Sequence, residues 1–319
     1  MTRLCGALLL TLVLAAPAGA ATLYVTNTKS DTLSVIDTDT LDVVATIPLG
    51  AGKPNRVVVH PDGRTAWVVY DKSRDLGVID AEALKLVRRV RIGGNPYNLG
   101  FTPDGRHLVV LDWSSDTSED EVIFYDLRAG KIAGRVEVST WPAHAVFSRD
   151  GARLWVSGET AGDVTVIDVA TRTIVERVVH GGGDAMGLAL TADGRTLYVA
   201  AGENRAVLKL DTATNKVTGQ IALPGVVHEA TLTLDGRFLY TTLRKANKVV
   251  VVRTADDRIV ATLQQKGYPD LVVMAPGGRY AFVTNRTADL VAVIDVRTHQ
   301  QVKTIPVGRA PHGMALRPR

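Results

Sequence analysis

The chain has 319 residues, is 46% hydrophobic and 22% charged, and has a mean hydropathy of +0.09. That balance excludes a disordered or collagen-like chain and provides enough apolar side chains for a sizeable core. The formal net charge is +4, with basic and acidic residues interspersed and no long run of one sign, so composition alone does not argue for nucleic acid.

The first 20 residues stand apart. Arg3 precedes an apolar segment over residues 4–16, too short to span a bilayer, and Ala18-Gly19-Ala20 fits the small-x-small rule for cleavage. Residues 1–20 are therefore predicted to be a secretory signal peptide. The single cysteine, Cys5, lies inside it. The expected mature product is a soluble, periplasmic protein with no disulfide, no thiolate metal site and no cysteine nucleophile. No later segment is apolar enough to cross a membrane.

From residue 22 onward the sequence repeats. Asp-Gly, mostly followed by Arg, recurs at Asp62-Gly63, Asp104-Gly105, Asp150-Gly151, Asp193-Gly194 and Asp235-Gly236, with Gly277-Gly278 as a degenerate copy. The steps between them are 42, 46, 43, 42 and 42 residues. Each turn leads into a short alternating run, the first at 23–27 and the last at 280–285. A second run follows, ending in Asp37, Asp80, Asp126, Asp168, Asp211 and Asp295, with Arg253 in the remaining copy. A third run and, after a Gly/Pro loop, a fourth complete the unit. All are short, rich in Val, Ile, Thr and aromatics, and bounded by turn residues. Asp-Gly between two such runs predicts a tight hairpin, because that turn needs positive φ. Seven units of four strands with this period predict an all-β, seven-bladed β-propeller over residues 21–319. The first strand in the chain is of the second type and the last is of the first type. Pairing the two within one blade would close the ring.

Leu23-Tyr24-Val25-Thr26-Asn27 with Val35-Ile36-Asp37, Ala281-Phe282-Val283-Thr284-Asn285 with Val293-Ile294-Asp295, and Pro311-His312-Gly313-Met314-Ala315 resemble the repeats of the YVTN family of β-propellers. The resemblance covers the chain from residue 22 and implies the propeller fold. It leaves function open, because members and relatives include exported proteins of unknown role, a single-stranded-DNA binder, and propellers that carry haem d1 or accompany quinone-cofactor metabolism.

One mouth of the channel attracts attention. The fourth-to-first and second-to-third strand connections share a face, and the Asp-Gly turns lie opposite. Aligning the inner strands puts Pro54, Pro96, Pro142, Ala185, Val227, Pro269 and Pro311 in register. The two residues after each vary strongly and include three of the seven histidines. The candidate ligand-binding residues are Arg56, Asn98, Trp113, Trp141, His144, His228, Glu229, Asp270 and His312: polar groups around an axial funnel can converge on one ligand, and the tryptophans can stack on a flat one. His144 is one position out of step with His228 and His312, so strict alternation would aim it elsewhere unless the strand is irregular there. The longest unit has four extra residues within 112–121, and the 43-residue step adds one near 180–184. Both additions lie on this face, where added function is expected. Lys53, Arg56, Lys72, Arg74, Arg205, Arg244, Lys245 and Arg286 make the same mouth basic.

The chain lacks Cys-x-x-Cys-His for covalent haem, a Gly-x-Ser-x-Gly elbow and a phosphate-cradling glycine loop. Most Asp and Glu sit at turn positions, where local backbone donors occupy them. No catalytic residue and no metal ligand is assigned. The reading is an exported, monomeric, non-catalytic binding module whose partner is a periplasmic protein or a small anionic ligand, with no cofactor required for the fold. Its rivals are a carrier of a planar anionic redox cofactor of the haem d1 or quinone type, a single-stranded nucleic-acid binder, and a hydrolase such as a lactonase.

Overall fold

The computed structural model describes residues 21–113, 120–180 and 183–317. The predicted signal peptide and most of the insertion after Trp113 lie outside these residues. Twenty-eight strands form seven four-stranded antiparallel sheets arranged as a ring. Blade 1 consists of Thr22–Asn27, Thr32–Asp37 and Asp42–Pro48, completed on its inner side by Pro311–Arg317, which pairs Leu316 with Leu23 and Ala315 with Tyr24. Blades 2 to 7 follow in chain order, and each begins with its inner strand: Pro54–Val59, Pro96–Phe101, Pro142–Phe147, Ala185–Leu190, Glu229–Leu232 and Pro269–Met274. The predicted closure is thus the observed one.

The core lies between the blades. Each of the seven interfaces holds its own apolar cluster. At the closing seam, Leu23, Val25 and Ile36 of blade 1 pack on Phe282, Val291 and Val293 of blade 7. This explains the near-continuous apolar character of the two middle strands, which are covered on both faces, while the outermost strands alternate towards solvent. Trp67 and Trp155 are packing residues, each 3% exposed.

The Asp-Gly turns differ from a two-residue hairpin. In blade 2 the N–H of His60 donates to Thr65 O at 2.8 Å and that of Gly63 to His60 O at 2.8 Å, so four residues separate the last pair. Only Gly63 is left-handed, with φ +70°, and Asp62 Oδ1 accepts from the N–H of Arg64 at 2.8 Å. Glycine supplies the positive φ and the aspartate caps the loop. The aspartates ending the second runs do related work: Asp37 Oδ1 accepts from the N–H groups of Asp39 and Thr40 at 2.8 and 2.9 Å.

Candidate functional site

The inner strands are irregular where they enter the channel. In blade 2, Pro54 pairs with Tyr70 but Val57 pairs with Val68, so Asn55 and Arg56 together face one residue of the neighbouring strand. Blade 4 does the same between Pro142 and Ala145. Such a bulge frees consecutive side chains from strict alternation, and this is how His144, out of step in sequence, still reaches the axis.

In blades 1, 4 and 7 a hydroxyl from the second strand repairs the bulge, and Thr242 of blade 6 reaches the next inner strand. Thr26 Oγ1 accepts from the N–H of Gly313 at 2.8 Å and donates to Asn55 O of the next blade at 2.6 Å. Thr284 accepts from Leu271 N–H at 3.1 Å and donates to His312 O at 3.2 Å. Ser157 receives the N–H of His144 at 3.0 Å, and Thr242 donates to Asp270 O at 2.9 Å. The Thr of the Val-Thr-Asn motif therefore both satisfies a bulged amide and stitches one inner strand to the next.

On this scaffold a polar plug crosses the channel. Arg56 Nη2 lies 3.0 Å from His144 Nε2; a guanidinium can only donate, so Nε2 accepts and the ring proton sits on Nδ1, which faces Glu229 Oε2 at 3.8 Å. Beside this chain, Asp270 is fully buried and receives Arg244 through Nε at 2.7 Å and through Nη2, with Arg286 Nη1 at 3.8 Å. His228 Nδ1 is 3.7 Å from Asp270 Oδ1, and the His144 and His228 rings meet edge-on with centroids 6.1 Å apart. His312 sits between Asn55 O at 3.2 Å and Asp270 Oδ2 at 3.1 Å. As a neutral ring it can donate to only one of them. Arg244 is delivered by a short 3₁₀ turn, Arg244–Ala246, ended by Asn247 in the left-handed region.

Burial, reinforced by the guanidinium groups, holds His144, His228 and His312 well below the usual histidine value, so these rings are neutral. Burial pushes Glu229 up to about 7, against the pull of Arg56. Burial also pushes Asp270 up, but Arg244, with Arg56 and Arg286, outweighs it and holds the carboxyl below the ordinary range. Three cations thus gather at Asp270, and Asp71 and Glu159, both pushed up by burial, lie near enough to feel the same arginines. Among the described residues no set of three His, Cys, Asp or Glu side chains is placed to hold a metal ion.

Seven of the nine candidates have clear positions in this arrangement. Arg56, His144, His228, Glu229, Asp270 and His312 converge in the plug. Asn98 has a structural part: Nδ2 donates to Ala143 O of the next blade at 2.7 Å, and Oδ1 accepts from Leu99 N–H at 2.8 Å. Trp113 and Trp141 form a separate feature at the rim. Tyr97, Trp113 and Trp141 stack in sequence at 3.6 and 5.1 Å between centroids; Trp113 Nε1 donates to Pro142 O at 2.9 Å, and Trp141 remains 47% exposed. Tyr97 was not among the candidates, nor were Arg244 and Arg286, read only as part of a diffuse basic mouth.

Two glycines were also missed. A Cβ on Gly187 would lie 2.7 Å from Ala230 N and from Glu229 Oε1, and one on Gly313 would lie 2.5 Å from Asn55 O. Their side chains are absent because the neighbouring inner strand occupies that space. The signal was present in the sequence, as small residues in a window of otherwise large and polar ones.

The larger clefts on the opposite face are lined by Asp-Gly turn residues such as Thr102, Asp104 and Asp150, with Arg172 from the turn between the outer two strands of blade 4. Their carboxylates are engaged locally: Asp104 with Thr102 and Arg106 N–H, Asp150 with Ser148 and Ala152 N–H. Among the described residues no helix is long and apolar enough to cross a membrane.

The fold and this geometry define a seven-bladed propeller with a polar plug at one end of its channel. The sequence matches the profile of the YNCE-like beta-propeller family over residues 4–317, and the chain belongs to that family. No curated protein matches it in sequence. Similar solved structures include Kuenenia stuttgartiensis hydrazine synthase, with 20% identity, a TM-score of 0.76, and 86% of this chain and 92% of that one covered. The Pseudomonas aeruginosa periplasmic gluconolactonase PpgL also has 20% identity and a TM-score of 0.76, over 94% and 99%. The dihydro-heme d1 dehydrogenase NirN in complex with DHE has 18% identity and a TM-score of 0.71, over 92% and 74%. At these identities the likeness shows the fold.

Proposed function

We propose that the protein is an exported, monomeric, non-catalytic binding module that takes a small anionic ligand at the polar plug. The carrying observation is the convergence of cations: Arg56, Arg244 and Arg286 gather around the buried Asp270, with Asp71 and Glu159 nearby, while the three histidines are neutral and Glu229 holds its proton up to about pH 7. An anion would pair with these guanidinium groups, and in a site from which water is largely excluded its attraction to the cations is stronger than in bulk. Arg244 and Arg286, at 18% and 32% side-chain exposure, are the cations open to the funnel. The inward turn of Arg56, Arg244 and Arg286 favours a small ligand over a nucleic-acid strand, which would call on exposed cations.

Calorimetric titration of the chain from residue 21 with benzoate and with citrate tests this. Binding that weakens with salt and is reduced in Arg286→Gln is expected; at 100-fold excess over Kd it would stabilise the fold by about 2.7 kcal/mol. No heat and no thermal shift with either anion would refute it. Fractionation of the native cell checks export.

The exposed face of Trp141, at the end of the aromatic stack, favours a second reading. A planar anionic redox cofactor could lie on Trp141 with its charge towards Arg244 and Arg286. A visible absorption band in protein purified from its native source would support that reading over a colourless ligand.

A further inference from the structure

Below the plug the channel changes character. Between the inner strands of blades 3 and 4, with Val58 of blade 2, lies a cavity of about 340 Å³, at the small end of the roughly 300–1,000 Å³ range of ligand pockets. Its polar side chains are Asn98 and His144; the rest of its wall is aliphatic and aromatic, including Leu99, Phe101, Val146 and Phe147. Both amide atoms of Asn98 are already committed to backbone partners. The polar end of the cavity is therefore His144, with the Arg56 guanidinium 3.0 Å from its ring and the Nε of Arg56 buried without a partner. The cavity is apolar along its length and cationic at one end.

We infer that this cavity holds the hydrocarbon tail of an amphiphilic monocarboxylate, of medium-chain fatty-acid type, whose head is drawn to the Arg56 guanidinium beside His144. This deepens the anion-binding reading and rests on it. The head gives the unpartnered Nε of Arg56 an acceptor, and the tail buries apolar surface against Val58, Phe101, Val146 and Phe147. A hydrophilic anion of the same charge would leave this wall wet. Gly100 helps keep the space open: a Cβ there would have Phe147 Cε2 as its nearest neighbour, at 4.0 Å, and its backbone is not in the left-handed region. A side chain placed at 100 would enter the cavity without displacing the plug.

The experiment is a calorimetric series of straight-chain acids, acetate, butyrate, hexanoate, octanoate and decanoate, at constant ionic strength, on the wild-type chain and on Gly100→Leu. Tail burial predicts that Kd tightens by about fourfold per added methylene until the cavity is filled. Gly100→Leu should abolish that gain while leaving acetate and butyrate binding unchanged. A Kd independent of chain length, or a gain that survives Gly100→Leu, overturns the inference and leaves the anion reading standing. Binding of no acid at any length also overturns the inference, and the anion reading then stands or falls with benzoate and citrate. The series on the wild-type chain decides the matter even if the variant does not fold.

Discussion

Replacing Thr26 by Val tests the proposed link between the repeat motif and the geometry of the plug. The hydroxyl is fully buried, accepts from Gly313 N–H at 2.8 Å and donates to Asn55 O at 2.6 Å. Valine keeps the volume and removes both bonds. Asn55 O retains His312 Nδ1 at 3.2 Å, so the larger loss is at Gly313, whose bulged amide has no strand partner to fall back on. An unsatisfied buried donor costs about 1–3 kcal/mol, and the lost second bond adds about 1, so about 2–4 kcal/mol is expected. For a chain of this size each kcal/mol lowers Tm by roughly 2–4 °C, giving a fall of about 4–16 °C. Differential scanning calorimetry with urea unfolding at pH 7 reads both quantities. A loss below about 0.5 kcal/mol, within the range of an uneventful surface substitution, would refute the reasoning.

Two further outcomes follow from the plug. The Glu229 carboxyl is raised from 4.5 to about 7, so the folded chain holds a proton that the unfolded chain releases between those values. The stability contributed is full below about pH 4.5 and is lost as pH rises through 7, about 3 kcal/mol in all. Urea titrations of Glu229→Gln from pH 5 to 8 should therefore show the variant gaining on wild type as pH rises; parallel curves would contradict the assignment. Gly187→Ala should destabilise by more than about 2 kcal/mol, because its Cβ would meet the Ala230 backbone and the Glu229 carboxyl. Unchanged thermal unfolding would show that blades 5 and 6 can separate there at no cost.

The seven-bladed ring could be read from the chain because each repeat carries its own local signals. The Asp-Gly caps, the period-two runs and the aspartates ending the third strands are satisfied within a few residues of where they occur, so spacing alone places them. The complementary end strands then require closure, and Leu23 opposite Leu316 is its expression. The same logic pointed to the variable inner-strand window, where Arg56, His144, His228, Glu229, Asp270 and His312 do meet.

Only the tertiary structure decided what those residues do together. Arg56, His144 and Glu229 come from blades 2, 4 and 6, so their contact depends on the ring's radius and on bulges that no alternation rule contains. Whether a basic residue turns inward, as Arg244 and Arg286 do onto Asp270, or remains at the rim, as exposed Lys53 and Lys245 do, depends on partners far away in sequence. The protonation of Glu229 and the neutrality of the histidines follow from burial, a property of the closed ring rather than of any segment. Local chemistry fixes the blades; long-range desolvation and charge fix the site.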